Sequence, residues 1–484
     1  MKEIFIGLII LISIYGFSSK ITPNMYLNFY AFIVFLPLTI IVLKKNLLNG
    51  LLLWLLLLIF KGVPWIKLQG LPDIAPYRML WLMIMFIILF ELIVKQRKLI
   101  GGIRGIKIAM ILFCSYALLS MVPTGLIFKE GQGAFLMNYV IPFTTFFISR
   151  ALITSEQDIK KVFIFMSILG FYLGFTGICE YLKLDFLIFP SYITDIKKGI
   201  HYGMARGPFL ETSQNGVVIG MVLFMVIHTL TQSHEKSLKI FFGLTIPLII
   251  GAFIFTFNRA SWIGAFFASL VLPIFYPKVR KYFVMTFLIL IMAVVAFRTG
   301  MIKLPEKKNL ISTHSVAGRI VQFDGAWNMF LDKPIIGYGF NNHMKYIPKY
   351  YRFIKGLPVA GIRHHQLRQA TVHNVVLNML LQLGLIVTGL YIYIIYCIMA
   401  ISVRLYRLLP QNGFAGKGIV ITYWGMSSIF FMKYMFTDWR TEMFPIVFFF
   451  MISGIIVGLY QRTLSKIKNE SYSMNVDNPT NVLI

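Results

Sequence analysis

Acidic side chains are scarce in this chain. Only 18 Asp and Glu stand against 46 Lys and Arg in 484 residues, and charged residues together make up 13%. A soluble globular domain carries about a quarter charged residues, so that class is excluded. Cysteine is scarcer still: Cys114, Cys179 and Cys397 each fall inside or at the end of an apolar run. Neither a disulfide framework nor a thiolate metal site is expected from them. No repeat of fixed period is visible. What abounds is apolar surface, 58% of residues with a mean hydropathy of +0.77. The expected fold class is all-α, a polytopic membrane protein. A net charge of +28 would point to nucleic acid in a soluble chain. Here no nucleic-acid partner is expected, because short Lys/Arg clusters beside apolar spans set topology and meet anionic membrane lipids.

Apolar runs near the roughly 20 residues that a bilayer requires occur at 4–19, 24–43, 46–60, 78–94, 105–123, 134–149, 160–180, 214–231, 238–257, 259–276, 282–298, 373–403, 418–437 and 443–461. They predict 12–14 transmembrane helices, the shortest being 46–60 and 134–149. The first run lacks a small-residue cleavage site and reads as a retained span rather than a signal peptide. Residues 1–465 are expected to form a single transmembrane domain, and the polar tail 466–484 to be disordered. Lys44-Lys45, Lys160-Lys161, the cluster from Lys278 to Lys281, and Arg404 with Arg407 gather on one side together with both termini. Positive charge in short loops marks that side as cytoplasmic.

The hydrophilic segment 299–371 then faces outward. It holds eleven Lys/Arg against three Asp/Glu. Long loops translocate regardless of charge, so its basicity points to something anionic being handled there. Val316, Ile320, Phe323, Trp327 and Phe330 recur at spacings of 4, 3, 4 and 3, which is an amphipathic helix. Asp332-Lys333-Pro334 and Gly337-Tyr338-Gly339 end it. Its apolar stripe is expected to dock on the membrane surface or on the ends of the spans, with Arg319 near the interface. The stretch from Met344 to Arg352 mixes Tyr with Lys and Arg. Such residues suit sugars and phosphates, and equally suit plain interfacial anchoring.

Three polar pieces border spans on the same outer side. Asn258-Arg259 interrupts the apolar stretch between Phe241 and Tyr276. It is either a tight turn or a phosphate contact, since a guanidinium is a permanently charged fork matched to phosphate oxygens. Arg206-Gly207-Pro208-Phe209-Leu210-Glu211-Thr212-Ser213-Gln214-Asn215 marks a turn, after which Ser213 or Asn215 can cap the next helix. His373-Asn374 opens another span. A histidine there is either structural or a base suited to take a proton from a hydroxyl near neutral pH. Zinc on His364, His365 and His373 lacks a recognised ligand spacing or a nearby acid or Cys. No metal is expected.

In order along the chain, these pieces resemble the O-antigen ligase/polymerase superfamily of bacterial membrane glycosyltransferases. The matching residues are Arg206-Gly207-Pro208-Phe209 with Asn215, Asn258-Arg259-Ala260-Ser261-Trp262, the run from Gly318-Arg319 through Trp327 to Asp332-Lys333-Pro334-Ile335-Ile336-Gly337-Tyr338-Gly339, and His373-Asn374 with Leu380 and Gly384. The likeness covers about 200–400. It departs at Asn258-Arg259-Ala260, where Ser-Arg-Gly is commoner. The resemblance implies a GT-C-type helical fold with one large external loop, in a bacterial plasma (inner) membrane, acting without a cofactor on an undecaprenyl-diphosphate-linked glycan donor. Carried onto this chain, Arg259 and Arg319 would bind the diphosphate and His373 would activate the acceptor hydroxyl. Arg206, Asn215, Asn258 and Asn374 would be substrate contacts, with Glu211 and Asp324 as helpers.

A polymerase joining lipid-linked repeat units of O-antigen, capsule or exopolysaccharide leads among the readings. A ligase moving the glycan to lipid A core uses the same chemistry, as does a protein O-oligosaccharyltransferase. A lipid-linked sugar flippase would also need cations for diphosphate. It would further be expected to show intramembrane charges along a path and two matching halves, and the sequence displays neither.

Overall fold

The computed structural model describes residues 46–60, 75–94, 103–125, 130–275, 277, 280–299, 313–350, 372–438 and 442–476. The runs at 4–19 and 24–43, His364 and His365, and residues 477–484 lie outside the described residues. Every regular element among the described residues is helical. In chain order they are α1 (Leu47–Ile59), α2 (Pro76–Val94), α3 (Arg104–Leu119), α4 (Glu130–Phe135), α5 (Ile141–Leu152), α6 (Glu156–Tyr181), α7 (Thr212–Gln232), α8 (Lys236–Phe255), α9 (Arg259–Phe275), α10 (Arg280–Arg298), α11 (Thr313–Asp332), α12 (Val375–Leu408), α13 (Lys417–Met435) and α14 (Met443–Val476). A π-helical turn, Leu136–Val140, joins α4 to α5.

Six stretches among the described residues are long and apolar enough to cross a membrane: Gly131–Leu152, α6, α7, α8, α12, and α14 as far as Asn469. The chain is therefore an all-α polytopic membrane protein. The two shortest runs, 46–60 and 134–149, are both helical. The tail differs from expectation, because α14 carries residues 466–476 along as helix. Once nucleated, a helix extends at little cost through good formers such as Lys and Glu.

The core is built around α7 and α14, the two most enclosed spans. α7 packs against α6, α8 and α13, and α14 lies along α5. α9 packs on α13, and α12 on α3. Between helices in lipid, close backbone approach replaces the hydrophobic drive, so small residues mark the contacts. At Gly264 a Cβ would stand 2.7 Å from the Ile429 Cα. There Ser428 Oγ also donates to the Gly264 carbonyl at 2.9 Å.

α12 is not continuous. Gly384 has φ 72° and ψ −177°, a backbone region open essentially to glycine. The break frees the groups that an intact helix would pair, and the segment following α11 pairs them again. Tyr338 N–H donates to Leu381 O at 2.8 Å, Gly339 N–H to Gln382 O at 2.9 Å, and Leu385 N–H to Pro334 O at 2.8 Å. The Asn341 N–H reaches Gln382 Oε1 at 2.8 Å. Unpaired backbone is expensive at membrane depth, so the break and its filler stand or fall together.

Candidate active site

α11 is held above the first half of α12. Ala326, Met329 and Phe330 bury against Ile347, Val372, Leu377 and Leu381, and the filler segment fixes the far end. Ala317, Val321 and Met329 form the buried side of α11. Ile320, Phe323 and Trp327, the middle of the expected docking stripe, are exposed. Of the two surfaces considered for that stripe, these three residues do not use the protein. The docking face carries Ala317, Val321, Ala326, Met329 and Phe330, of which the apolar stripe contained only Phe330.

Two asparagines do the same work at two helix starts. Asn258 Oδ1 accepts the Ser261 N–H at 3.3 Å, capping α9, while its Nδ2 donates to the Ser213 carbonyl of α7 at 2.9 Å. Asn374 Oδ1 accepts the Leu377 N–H at 2.9 Å, capping α12, while its Nδ2 donates to the Met435 carbonyl of α13 at 3.0 Å. Each satisfies an orphan donor of its helix and fastens the first turn to a neighbour. Arg259 follows one cap and His373 precedes the other, so both side chains are presented from fixed helix starts.

Arg259 and Arg319 are exposed, and His373 is half-buried. Crowding by protein around its guanidinium, followed by the Arg259 charge, lowers the Arg319 pKa from its ordinary value. Burial, then Arg319 and Lys433, lowers His373 below the ordinary 6.5. Arg259 on α9 thus acts on Arg319 on α11, and Arg319 with Lys433 on α13 acts on His373 at the start of α12. The neutral imidazole is the favoured form at neutral pH, which leaves it able to accept a proton.

Behind His373 is a buried network that the sequence reading missed. Lys433 is ion-paired with Glu442, both essentially without exposure. The same carboxylate accepts the Tyr434 hydroxyl at 2.9 Å. Glu211 stands at the start of α7 and acts electrostatically on Tyr434. Asn378, one turn after Asn374, donates to Asp438 at 2.9 Å. A signal for this network existed: Lys433 is a cation inside an apolar run, and such residues are normally paired.

Not every expected contact joins the cluster. The Arg206 guanidinium is taken up by the fold. It donates to Glu180 Oε1 at 3.2 Å and to the carbonyls of Lys198, Ile193 and Asp195 at 2.7, 2.5 and 3.1 Å. It also lies over the Tyr202 ring. Asn215 does not cap α7, which begins at Thr212. It is buried within the helix and donates to Ala205 O at 3.0 Å. Both pin the 181–211 segment onto the bundle. Asp324 is half-buried, five residues after Arg319 on α11, which places it about 140° around the helix. No interaction of its carboxylate with the cluster is seen among the described residues.

The starts of α7, α9 and α12, the last turn of α13 and the start of α14 all meet at this end. Helix N-termini carry partial positive charge, adding to Arg259 and Arg319. The arrangement can hold a multiply charged anion beside a neutral base. Residues 244–392, from α8 to beyond the break in α12, match the family model described as O-antigen ligase. No curated protein matches the chain. The matched segment encloses Asn258-Arg259, Arg319 and His373-Asn374, and through it the chain resembles the O-antigen ligase/polymerase superfamily.

Proposed function

We propose that this protein transfers a glycan from a lipid-linked diphosphate, such as an undecaprenyl carrier, to an acceptor hydroxyl. It works at the outer face of a bacterial plasma membrane, with both termini inside. The observation that carries the reading is the electrostatic link from Arg259 to Arg319 and from Arg319 to His373, three groups carried by separate helices. Two guanidinium forks suit the two phosphates. They stabilise the charge that develops as the carrier diphosphate departs from the anomeric carbon. The acceptor oxygen attacks that carbon, and its proton passes to the His373 imidazole. The breaking bond is sugar–phosphate, and diphosphate leaves without needing a proton. A paired carboxylic acid of the glycosidase kind is therefore not required.

Among acceptors, we infer a growing glycan on its carrier, making the protein a polymerase of repeat units. Lipid A core as acceptor would make it a ligase, with the same residues in the same roles. The test uses membranes supplied with a lipid-linked repeat-unit donor. His373→Ala and Arg259→Ala should each abolish transfer while the protein still accumulates. Activity retained by both would sink the site assignment. Lengthening chains on the carrier identify a polymerase, whereas loss of carrier to lipid A core identifies a ligase. Donor flipping without any new glycosidic bond from the unaltered protein would leave a transporter.

A further inference from the structure

At the opposite end of the bundle, the end of α5 meets α14 and brings a second arginine pair together. Arg150, in the last turn of α5, is 4% exposed, and its Nε donates to Gln461 Oε1 at 2.6 Å. Arg462 follows Gln461 and lies beside the same place. A Cβ on Gly458 would stand 3.0 Å from Arg462 Nη1 and 3.4 Å from Arg150 Cγ. Both terminal nitrogens of Arg462 are buried, and neither has a hydrogen-bond acceptor among the described residues. Asp158 acts on Arg462 electrostatically. That carboxylate is already committed to the Thr154 and Ser155 N–H groups at 3.2 and 3.0 Å, and Lys161 also faces it.

A buried guanidinium with idle donors is costly unless something anionic completes it. The depth supports this. About 20 residues cross the hydrocarbon, and counting from Met443 at the start of α14 that distance ends at Arg462. The group therefore stands at the level of lipid phosphates. Two neighbouring guanidinium groups, with a bare backbone at Gly458 between them, suit a planar bidentate contact with phosphate oxygens.

We propose that Arg462 and Arg150 form a phosphate-binding site at the end of the bundle away from the glycan site. Its ligand is a phosphate group, carried either by a lipid headgroup or by a soluble ion. The assignment does not rest on the transfer reading. The probe experiment follows thermal unfolding of the delipidated full chain in detergent. Three additions are compared: phosphatidylglycerol, a diacyl glycolipid of the same chains without phosphate, and sodium phosphate.

Phosphatidylglycerol should raise the unfolding midpoint by several degrees while the glycolipid does not. Arg462→Gln should weaken that response about tenfold, as expected for loss of a charge-assisted contact. A response to sodium phosphate alone, lost in the same variant, assigns the site to a soluble phosphate. A response to lipid alone assigns it to a headgroup. Equal responses from the unaltered protein and Arg462→Gln overturn the proposal, as does a glycolipid that works as well as phosphatidylglycerol. Should Arg462→Gln fail to fold, Arg462→Lys keeps the charge and loses the fork. Retention of the full response by that variant overturns the proposal equally.

Discussion

Replacing Gly384 with alanine tests whether the broken helix fixes the relation between Arg319 and His373. The φ of 72° and ψ of −177° cost an alanine on the order of 1–3 kcal/mol. The added Cβ would also fall on the Ile335 carbonyl. Relief requires the 334–339 segment to withdraw, which gives up the Tyr338–Leu381, Gly339–Gln382 and Leu385–Pro334 bonds. At about 1 kcal/mol each, the local penalty reaches roughly 4–6 kcal/mol. The packing of α7 against α6, α8 and α13 and of α14 along α5 does not use this segment, so the variant should still accumulate in membranes. Its α11 loses one of two attachments, and Arg319 drifts from His373. Misplacement by about 1 Å can cost on the order of a hundredfold in rate. Transfer assays with a lipid-linked donor should therefore show at least that loss, at near-normal protein levels. Wild-type rates from Gly384→Ala would refute the coupling between the break and the site.

Because burial, and after it the positive neighbours Arg319 and Lys433, depresses the His373 pKa, the acid limb of the transfer rate should fall below pH 6.5. Arg319→Gln removes one of those charges and should move the limb of its residual activity upward, measurable as a pH profile. An unmoved limb would contradict the electrostatic link. Lys433→Met leaves the Glu442 carboxylate buried without its cation, at about 3–5 kcal/mol. Thermal unfolding should show that loss, largely recovered in Lys433→Met combined with Glu442→Gln. Arg206→Lys keeps the charge but cannot make the four fork contacts, so limited trypsin cleavage near Lys197 and Lys198 should accelerate several-fold. Unchanged digestion would mean that the fork is dispensable.

Much of this architecture was legible in the sequence, because lipid imposes helices and hydropathy counts them. The runs 160–180, 214–231 and 238–257 fall on α6, α7 and α8 within a few residues. Asn258-Arg259 and His373-Asn374 stood out as polar interruptions, and the structure brings them to one end. The pairing of Pro334–Gly339 with Gly384 was not legible, since it joins positions about fifty apart through backbone groups that carry no side-chain signature. The Ile320, Phe323 and Trp327 stripe marked a helix correctly but not its partner. In a membrane, apolar side chains are as content against lipid as against protein. Arg206 looked like a ligand contact for the same reason that it is a good pin. A fork that grips phosphate also grips carbonyls.

The break in α12 has a consequence for traffic through the site. The arm bearing Arg319 is stitched into a membrane helix by three backbone bonds on top of its apolar contacts, so detaching it costs at least about 3 kcal/mol at roughly 1 kcal/mol per bond. At tenfold per 1.4 kcal/mol, the detached state is populated below about one part in a hundred. An entrance that opened by lifting this arm would be shut almost all of the time. On the proposed reading, substrates and products pass beside a standing post rather than through a swinging door.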